Sequence, residues 1–158
     1  METIVQHLDP PQGMYPARLD DKGRLKLPSA FQQYFAALPE RKLFVTSINR
    51  RTAQVYPIKA WRDNIHFLQE HHEHAKAARS VAFNAADLGA ESEMDAQGRI
   101  LFSPELRREL SMENQPVRLF AYRGRIEILN EATYEKMKLE ASEVTPDDLI
   151  ALEAAGLN

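Results

Sequence analysis

The chain contains no cysteine among its 158 residues. This absence excludes disulfide bonds, cysteine-ligated zinc sites and thiol nucleophiles. No apolar run approaches the roughly 20 residues that a transmembrane helix requires. The N-terminal residues also lack the basic and then apolar order of a signal peptide. We therefore expect a cytoplasmic protein with no membrane partner.

Signatures of catalysis are missing as well, because neither a phosphate-binding loop nor a nucleophile elbow is present. The histidine-rich run at 71–74 lacks the His-Glu-x-x-His spacing of zinc proteases. We interpret it as the solvated face of a predicted helix over 59–82. Asp20 and Asp95 could pair as an acid and a base, but each has an arginine four residues later that would neutralise it. We expect no enzymatic activity, no cofactor and no metal site.

The net charge is −3, which is unusual for a protein that binds nucleic acid. The acidic residues are concentrated at the C-terminus: five follow Lys138, and no lysine or arginine lies among them. The remaining residues, 1–138, contain 20 basic and 18 acidic side chains and carry a net charge of +2. This distribution permits an anionic partner without requiring one.

An internal repeat organises the chain. The segment 19–28 returns in modified form at 94–104, with its aspartate, glycine and arginine each displaced by 75 positions. A second landmark follows in the same order, because Trp61 and Tyr134 are 73 positions apart and each opens a predicted helix. Two matched landmarks indicate two copies of one module.

Each module is predicted to contain a strand, a glycine turn, a strand, a short helix, a hairpin and a returning helix. This pattern predicts an α+β fold that is mainly β. The short helices are predicted at 29–38 and 105–110, and the hairpins pair 42–47 with 54–56 and 117–121 with 125–129. Further helices are predicted at 59–82, at 131–141 and from 146 to about 156. The predicted units are a loose N-terminal arm (1–13), the first module (14–60), a helical connector (61–89), the second module (90–133) and C-terminal helices with an acidic tail (134–158).

The first glycine turn is the main candidate site. Gly23 tolerates a positive φ, and the Asp20 carboxylate can accept backbone hydrogen bonds and orient Arg24. Lys22, Arg24 and Lys26 alternate along the chain, so they would share one face of a regular strand. Such a strip suits a phosphate backbone, and arginine can also bind guanine through two hydrogen bonds. The alternative is a surface ion pair that contributes only about 0–1 kcal/mol to stability.

The second turn repeats the arrangement with Asp95, Gly98 and Arg99. It is less basic, because Gln97 and Leu101 stand where the first turn has its two lysines. We therefore rank Lys22, Arg24 and Lys26 of the first turn, together with Arg99, as candidate DNA contacts.

Three segments together resemble one family. They are Asp20-Asp21-Lys22-Gly23-Arg24 with Pro28, Val55-Tyr56-Pro57 with Trp61, and Glu93-Met94-Asp95-Ala96-Gln97-Gly98-Arg99-Ile100 with Pro104-Glu105-Leu106-Arg107. On these segments the chain, from about Met14 to Lys136, is similar to the MraZ family of bacterial transcriptional regulators, which is related to the AbrB and SpoVT type of DNA-binding domain.

The resemblance implies two tandem swapped-hairpin, AbrB-like modules that form a pseudo-symmetric β-barrel with flanking helices. It also implies a ring-shaped homo-oligomer that associates with the nucleoid. Such a ring would bind short G-rich direct repeats in double-stranded DNA upstream of the division and cell-wall gene cluster, usually at its own promoter. In that family the residues matching Lys22, Arg24 and Arg99 are implicated in DNA contact. The alternative function is a ring scaffold or protein-interaction module that uses the turns for subunit contacts and reads no DNA.

Overall fold

The computed structural model describes residues 9–158, so most of the predicted N-terminal arm lies outside the described residues. Residues 9–12 have no regular secondary structure, and the first strand begins at Gly13. None of the described helices has the length and apolar character needed to cross a bilayer.

The described residues form eight strands, and every pairing among them is antiparallel. Both predicted hairpins are confirmed, the first as β3 with β4 and the second as β7 with β8. The strands are β1 (Gly13–Arg18), β2 (Arg24–Lys26), β3 (Lys42–Thr46), β4 (Ala53–Pro57), β5 (Ala90–Glu93), β6 (Arg99–Leu101), β7 (Pro116–Tyr122) and β8 (Arg125–Asn130).

The sheet joins the two halves of the chain by exchanging strands. Six strands follow the order β1-β7-β8-β4-β3-β5, so β1 pairs with the second hairpin and β5 with the first. The remaining two strands, β2 and β6, form a separate ribbon. Because β1 and β5 are the edges of the six-stranded sheet, the ladders of residues 9–158 do not close into a ring.

Six helices accompany the strands in the described part of the chain. Together they contain more residues than the strands do, so the fold is mixed rather than mainly β. The predicted terminal helix is confirmed, and Thr145 caps it through a reciprocal pair of hydrogen bonds with Asp148. The helices are α1 (Ser29–Ala36), α2 (Ile58–Glu70), α3 (Ala75–Leu88), α4 (Pro104–Glu109), α5 (Glu131–Ala141) and α6 (Pro146–Ala155).

The single helix predicted over 59–82 is wrong, because the chain breaks at 71–74 into α2 and α3. An unbroken helix over 58–88 would be about 45 Å long and would extend beyond the sheet. Both helices instead bury residues in the same small cluster, to which α2 contributes Trp61 and α3 contributes Ala85. The Trp61 ring stacks on Phe44 of β3 with centroids 4.8 Å apart. The chain must therefore reverse between the two helices.

The main core lies between the sheet, the ribbon and the two short helices α1 and α4. Its largest fully buried side chains include Phe31 and Phe35 from α1, Leu106 from α4 and Phe102 just after β6. Both halves of the chain thus contribute to one core. Leu25 and Ile100 of the ribbon are buried in the same core. One face of the ribbon is therefore covered, and the other is left to solvent.

Candidate nucleic-acid interface

The Asp20 carboxylate organises the first glycine turn. Its Oδ1 accepts hydrogen bonds from the backbone N–H groups of Lys22 (3.0 Å) and Arg24 (2.8 Å). Its Oδ2 accepts from Nε of Arg24 at 2.8 Å. These bonds, with the one from the Arg24 backbone the strongest, lower the pKa of Asp20 from its ordinary value. The aspartate therefore stays ionised and holds the arginine by one edge.

The second turn has nearly the same geometry. Oδ1 of Asp95 accepts from the backbone N–H groups of Gln97 and Arg99, both at 2.9 Å, and Oδ2 accepts from Nε of Arg99 at 2.8 Å. The backbone hydrogen bond from Arg99 is again the main cause of a lowered pKa at Asp95. The sequence repeat is thus a repeat of hydrogen bonds as well as of residues.

The ribbon brings the two turns together. Its register pairs Arg24 with Leu101, Leu25 with Ile100, and Lys26 with Arg99. The central pair, Leu25 and Ile100, is almost completely buried. Because side chains alternate between the faces of a strand, the two flanking pairs point to the outer face. That face, formed by Arg24, Lys26, Arg99 and Leu101 and called the outer face below, carries three cations and one leucine.

Backbone hydrogen bonds extend the ribbon at both ends. The N–H of Leu27 donates to the carbonyl of Gly98, and that of Phe102 donates to the carbonyl of Gly23, both at 2.9 Å. Both glycines have positive φ, +78° at Gly23 and +75° at Gly98. The turns are therefore anchored to the opposite module as well as to their own aspartates.

Side chains from the short helices cover both glycines. A Cβ at Gly23 would lie 2.2 Å from Nη1 of Arg107 on α4, and a Cβ at Gly98 would lie 2.2 Å from Cδ of Gln32 on α1. Gln32 and Arg107 are 75 positions apart, as are the two glycines, so each module covers the turn of the other. These contacts leave no room for a side chain at either position. They are a second reason, besides the positive φ, why both positions are glycine.

The two arginines are partly exposed. The exposed fraction of the side chain is 31% for Arg24 and 26% for Arg99. Among residues 9–158, each guanidinium is hydrogen-bonded only through Nε, so both terminal nitrogens of each have no protein partner there. The N–H groups of a guanidinium that are not held by protein match the acceptors of a phosphate or a guanine edge.

Lys22 is placed differently from the prediction. It lies in the turn and not on β2, which begins at Arg24. The positive φ of Gly23 interrupts the alternation between the two residues, so the predicted strip holds only for Arg24 and Lys26. The third cation of the outer face is Arg99, from the other module. Lys22 remains exposed beside this face.

Leu101 also lies on the outer face, although it is not among the DNA contacts predicted from the sequence. Its exposed fraction is 55%, although it lies opposite Arg24 on a face whose other three residues are cations. Its position in the repeat could have identified it, because Leu101 occupies the place of Lys26 in the second copy. An exposed leucine between cations can contact the apolar part of a ligand, such as the methyl group of thymine.

A second polar cluster, around Arg50, was also missed. Its guanidinium donates to Asn84 (2.7 Å) and Asp87 (2.6 Å) on α3 and to Glu109 (3.1 Å) on α4. The hydrogen bond to Asp87 is the main cause of a raised pKa at Arg50. Residue 50 also has φ of +61°, so the hairpin loop is held in an uncommon conformation. This arginine joins the loop to two helices and leaves little of its charge for a ligand.

Comparison with known proteins gives a consistent result. A family model described as "MraZ protein, putative antitoxin-like" matches residues 89–149. Several relatives carry the name "Transcriptional regulator MraZ". The one from Acidobacterium capsulatum is 31% identical and the one from Koribacter versatilis 30%, each over 92% of this chain and 99% of the relative. The relative from Dechloromonas aromatica is 31% identical over 87% of this chain and 93% of its own length.

Proposed function

The chain belongs to the MraZ family, and from this premise we propose that it is a transcriptional regulator that binds double-stranded DNA through the outer face of the ribbon. The observation that carries the proposal is the arrangement of three cations from both modules on one exposed face. A two-stranded antiparallel ribbon fits the major groove, where base edges can be read. The names of the relatives support the regulatory role.

The side chains of the two turns have different roles in DNA binding. Arg24 and Arg99 direct their terminal nitrogens at a guanine edge, while Lys22 and Lys26 contact phosphates. Asp20 and Asp95 hold each guanidinium through Nε, which reduces the side-chain entropy lost on binding. Gly23 and Gly98 allow the turns that bring the arginines onto one face.

The number of cations sets the expected affinity. Three or four phosphate or base contacts from one chain give weak binding that depends strongly on salt. A homo-oligomeric ring would present several copies of the outer face at fixed spacing to short G-rich direct repeats. Simultaneous engagement could raise affinity by about 10²–10⁴. Under this proposal the protein acts in the cytoplasm on nucleoid DNA, upstream of the division and cell-wall gene cluster and at its own promoter.

The architecture proposed for this function is a pair of tandem AbrB-like modules, 14–60 and 90–133, which together approach a pseudo-symmetric barrel. The exchanged pairings of β1 and β5 and the shared ribbon support it. The connector (61–89) and the C-terminal segment (134–158) would flank this body. The acidic residues of the C-terminal segment would stay away from DNA, because like charges repel.

An electrophoretic mobility shift assay tests the proposal. The probes are the upstream region of the protein's own gene and duplexes selected from a random-sequence pool. We expect Arg24→Ala to abolish the shift while light scattering shows an unchanged oligomer. Arg41→Ala is the matched control. Arg41 is an exposed arginine just before β3, so its substitution removes the same charge from a different surface. Lys26→Ala should reduce the slope of log affinity against log salt by about one.

Two results would overturn the proposal. Unchanged binding by Arg24→Ala would show that the outer face is not the DNA contact. Loss of the oligomer in the same variant, with no shift by the unmodified protein on either probe, would favour the ring scaffold instead.

A further inference from the structure

The break between α2 and α3 brings two imidazoles together. Nε2 of His71 lies 2.9 Å from Nδ1 of His74, and the two rings stack nearly parallel with centroids 5.2 Å apart. The Phe67 ring also packs against the His71 ring, with centroids 4.9 Å apart. The predicted polar helix face is not what the structure contains here, because residues 71–74 lie between α2 and α3 and not on one continuous helix.

A carboxylate completes the group. One ligand atom each from His71, Glu73 and His74 lies within 4.8 Å of the other two. All three residues are at least partly accessible to solvent, so an ion could enter without unfolding the chain. Two imidazoles and one carboxylate form the ligand set of several catalytic zinc sites, which keep a further position for water.

We propose that His71, Glu73 and His74 form a binding site for a divalent transition-metal ion, with Zn²⁺ as the representative ion. Nitrogen ligands at about 2.0–2.1 Å in tetrahedral geometry lie about 3.3 Å apart. The present separation of 2.9 Å needs to open by only a few tenths of an ångström. The ion would lie between the two nitrogens, and each neutral imidazole would carry its hydrogen on its other ring nitrogen.

The location of the site suggests what the ion does. Extended backbone at His71 (ψ 120°) ends α2, and His74 precedes the first residue of α3. An ion held by both ends would fix the reversal between the helices. Since both helices bury residues in one cluster on the sheet, the fixed reversal would stabilise the connector and not the ribbon. The site is thus independent of DNA binding.

Metal titration of the full, untagged chain tests this inference. After chelator treatment and at about pH 7.5, where most imidazoles are neutral, native mass spectrometry with Zn²⁺ should show one tightly bound ion per chain. Thermal unfolding should shift upward with added Zn²⁺, because an ion that binds only the folded state stabilises it. Histidine NMR should show changed signals from Nε2 of His71 and Nδ1 of His74.

Variants decide the assignment. His71→Ala and His74→Ala should each abolish the bound ion and the thermal shift, and Glu73→Gln should weaken binding. His72→Ala is the matched control, because it removes a neighbouring imidazole that lies outside the ligand group. The inference is wrong if no ion binds, or if His72→Ala loses binding as fully as His71→Ala does. It is also wrong if both His71→Ala and His74→Ala retain binding.

Discussion

Gly23→Ala offers the sharpest test of how the turns are held. With φ at +78°, an alanine there would occupy the left-handed region, which costs roughly 1–2 kcal/mol. Alanine also restricts the unfolded chain, which offsets about 0.4–1 kcal/mol. The backbone effect alone is therefore a destabilisation of about 1 kcal/mol.

The contact with Arg107 adds to this cost. A Cβ at Gly23 would lie 2.2 Å from Nη1 and 2.4 Å from Cζ, so the guanidinium must move away. It is the far end of a flexible side chain, so the added cost lies at the low end of the range for overpacking, about 1 kcal/mol. We expect a total destabilisation of about 2 kcal/mol and a fall in melting temperature of about 4–8 °C for a chain of this length.

Gly124→Ala is the matched control. Its φ of +77° is almost identical, but the nearest atom to an added Cβ is Oη of Tyr34 at 3.5 Å, an ordinary contact. It should therefore lose only the backbone contribution, about 1 kcal/mol. Combining Gly23→Ala with Arg107→Ala should cost about 1 kcal/mol less than the sum of the single changes, because the clash is then absent.

Urea unfolding at matched protein concentrations measures these differences. Equal losses in Gly23→Ala and Gly124→Ala would contradict the steric part of the reasoning. Additive effects of Gly23→Ala and Arg107→Ala would do the same. A stability of Gly23→Ala equal to that of the unmodified protein would refute the whole account of the turn.

Three further outcomes are expected. Replacing thymine by uracil in a selected duplex should weaken binding by the unmodified protein but not by Leu101→Ala, and equal weakening in both would remove Leu101 from base contact. The pKa values of Asp20 and Asp95 are lowered on folding. Their stabilising contribution is therefore complete above about pH 4 and is lost as the pH falls through the lowered values. In urea unfolding, the difference in free energy of unfolding between the unmodified protein and Asp20→Asn should disappear only in acid. Trp61→Ala should cost about 3–5 kcal/mol, whereas the exposed Phe67→Ala should cost under about 1 kcal/mol, as measured by the same method.

The local elements were predictable because they depend on short patterns. Alternating apolar residues and a glycine turn predict the hairpin of β7 and β8, and Thr145 followed by Pro146 predicts the start of α6. Both signals act within a few residues. The same is true of the Asp20 turn, in which every hydrogen bond of the carboxylate spans four residues or fewer.

What could not be predicted depends on contacts between distant residues. The pairing of Lys26 with Arg99 joins strands more than seventy positions apart, and no local pattern specifies it. The break at 71–74 arises because α3 must return to the sheet, which helical periodicity does not reveal. Alternation alone places Lys22 on the strand with Arg24, but the backbone turns at Gly23 between them.

The exchange of strands has a consequence for how the chain can vary. Because β1 hydrogen-bonds to β7 and β5 to β3, neither half contains all the partners that its own strands need. A fragment ending near Gly89 would leave β3 with an unpaired edge, and exposed edges invite association with other chains. The two copies of the repeat can therefore diverge in their surface residues, as Lys26 and Leu101 have done, but they cannot be separated or shuffled as independent folding units.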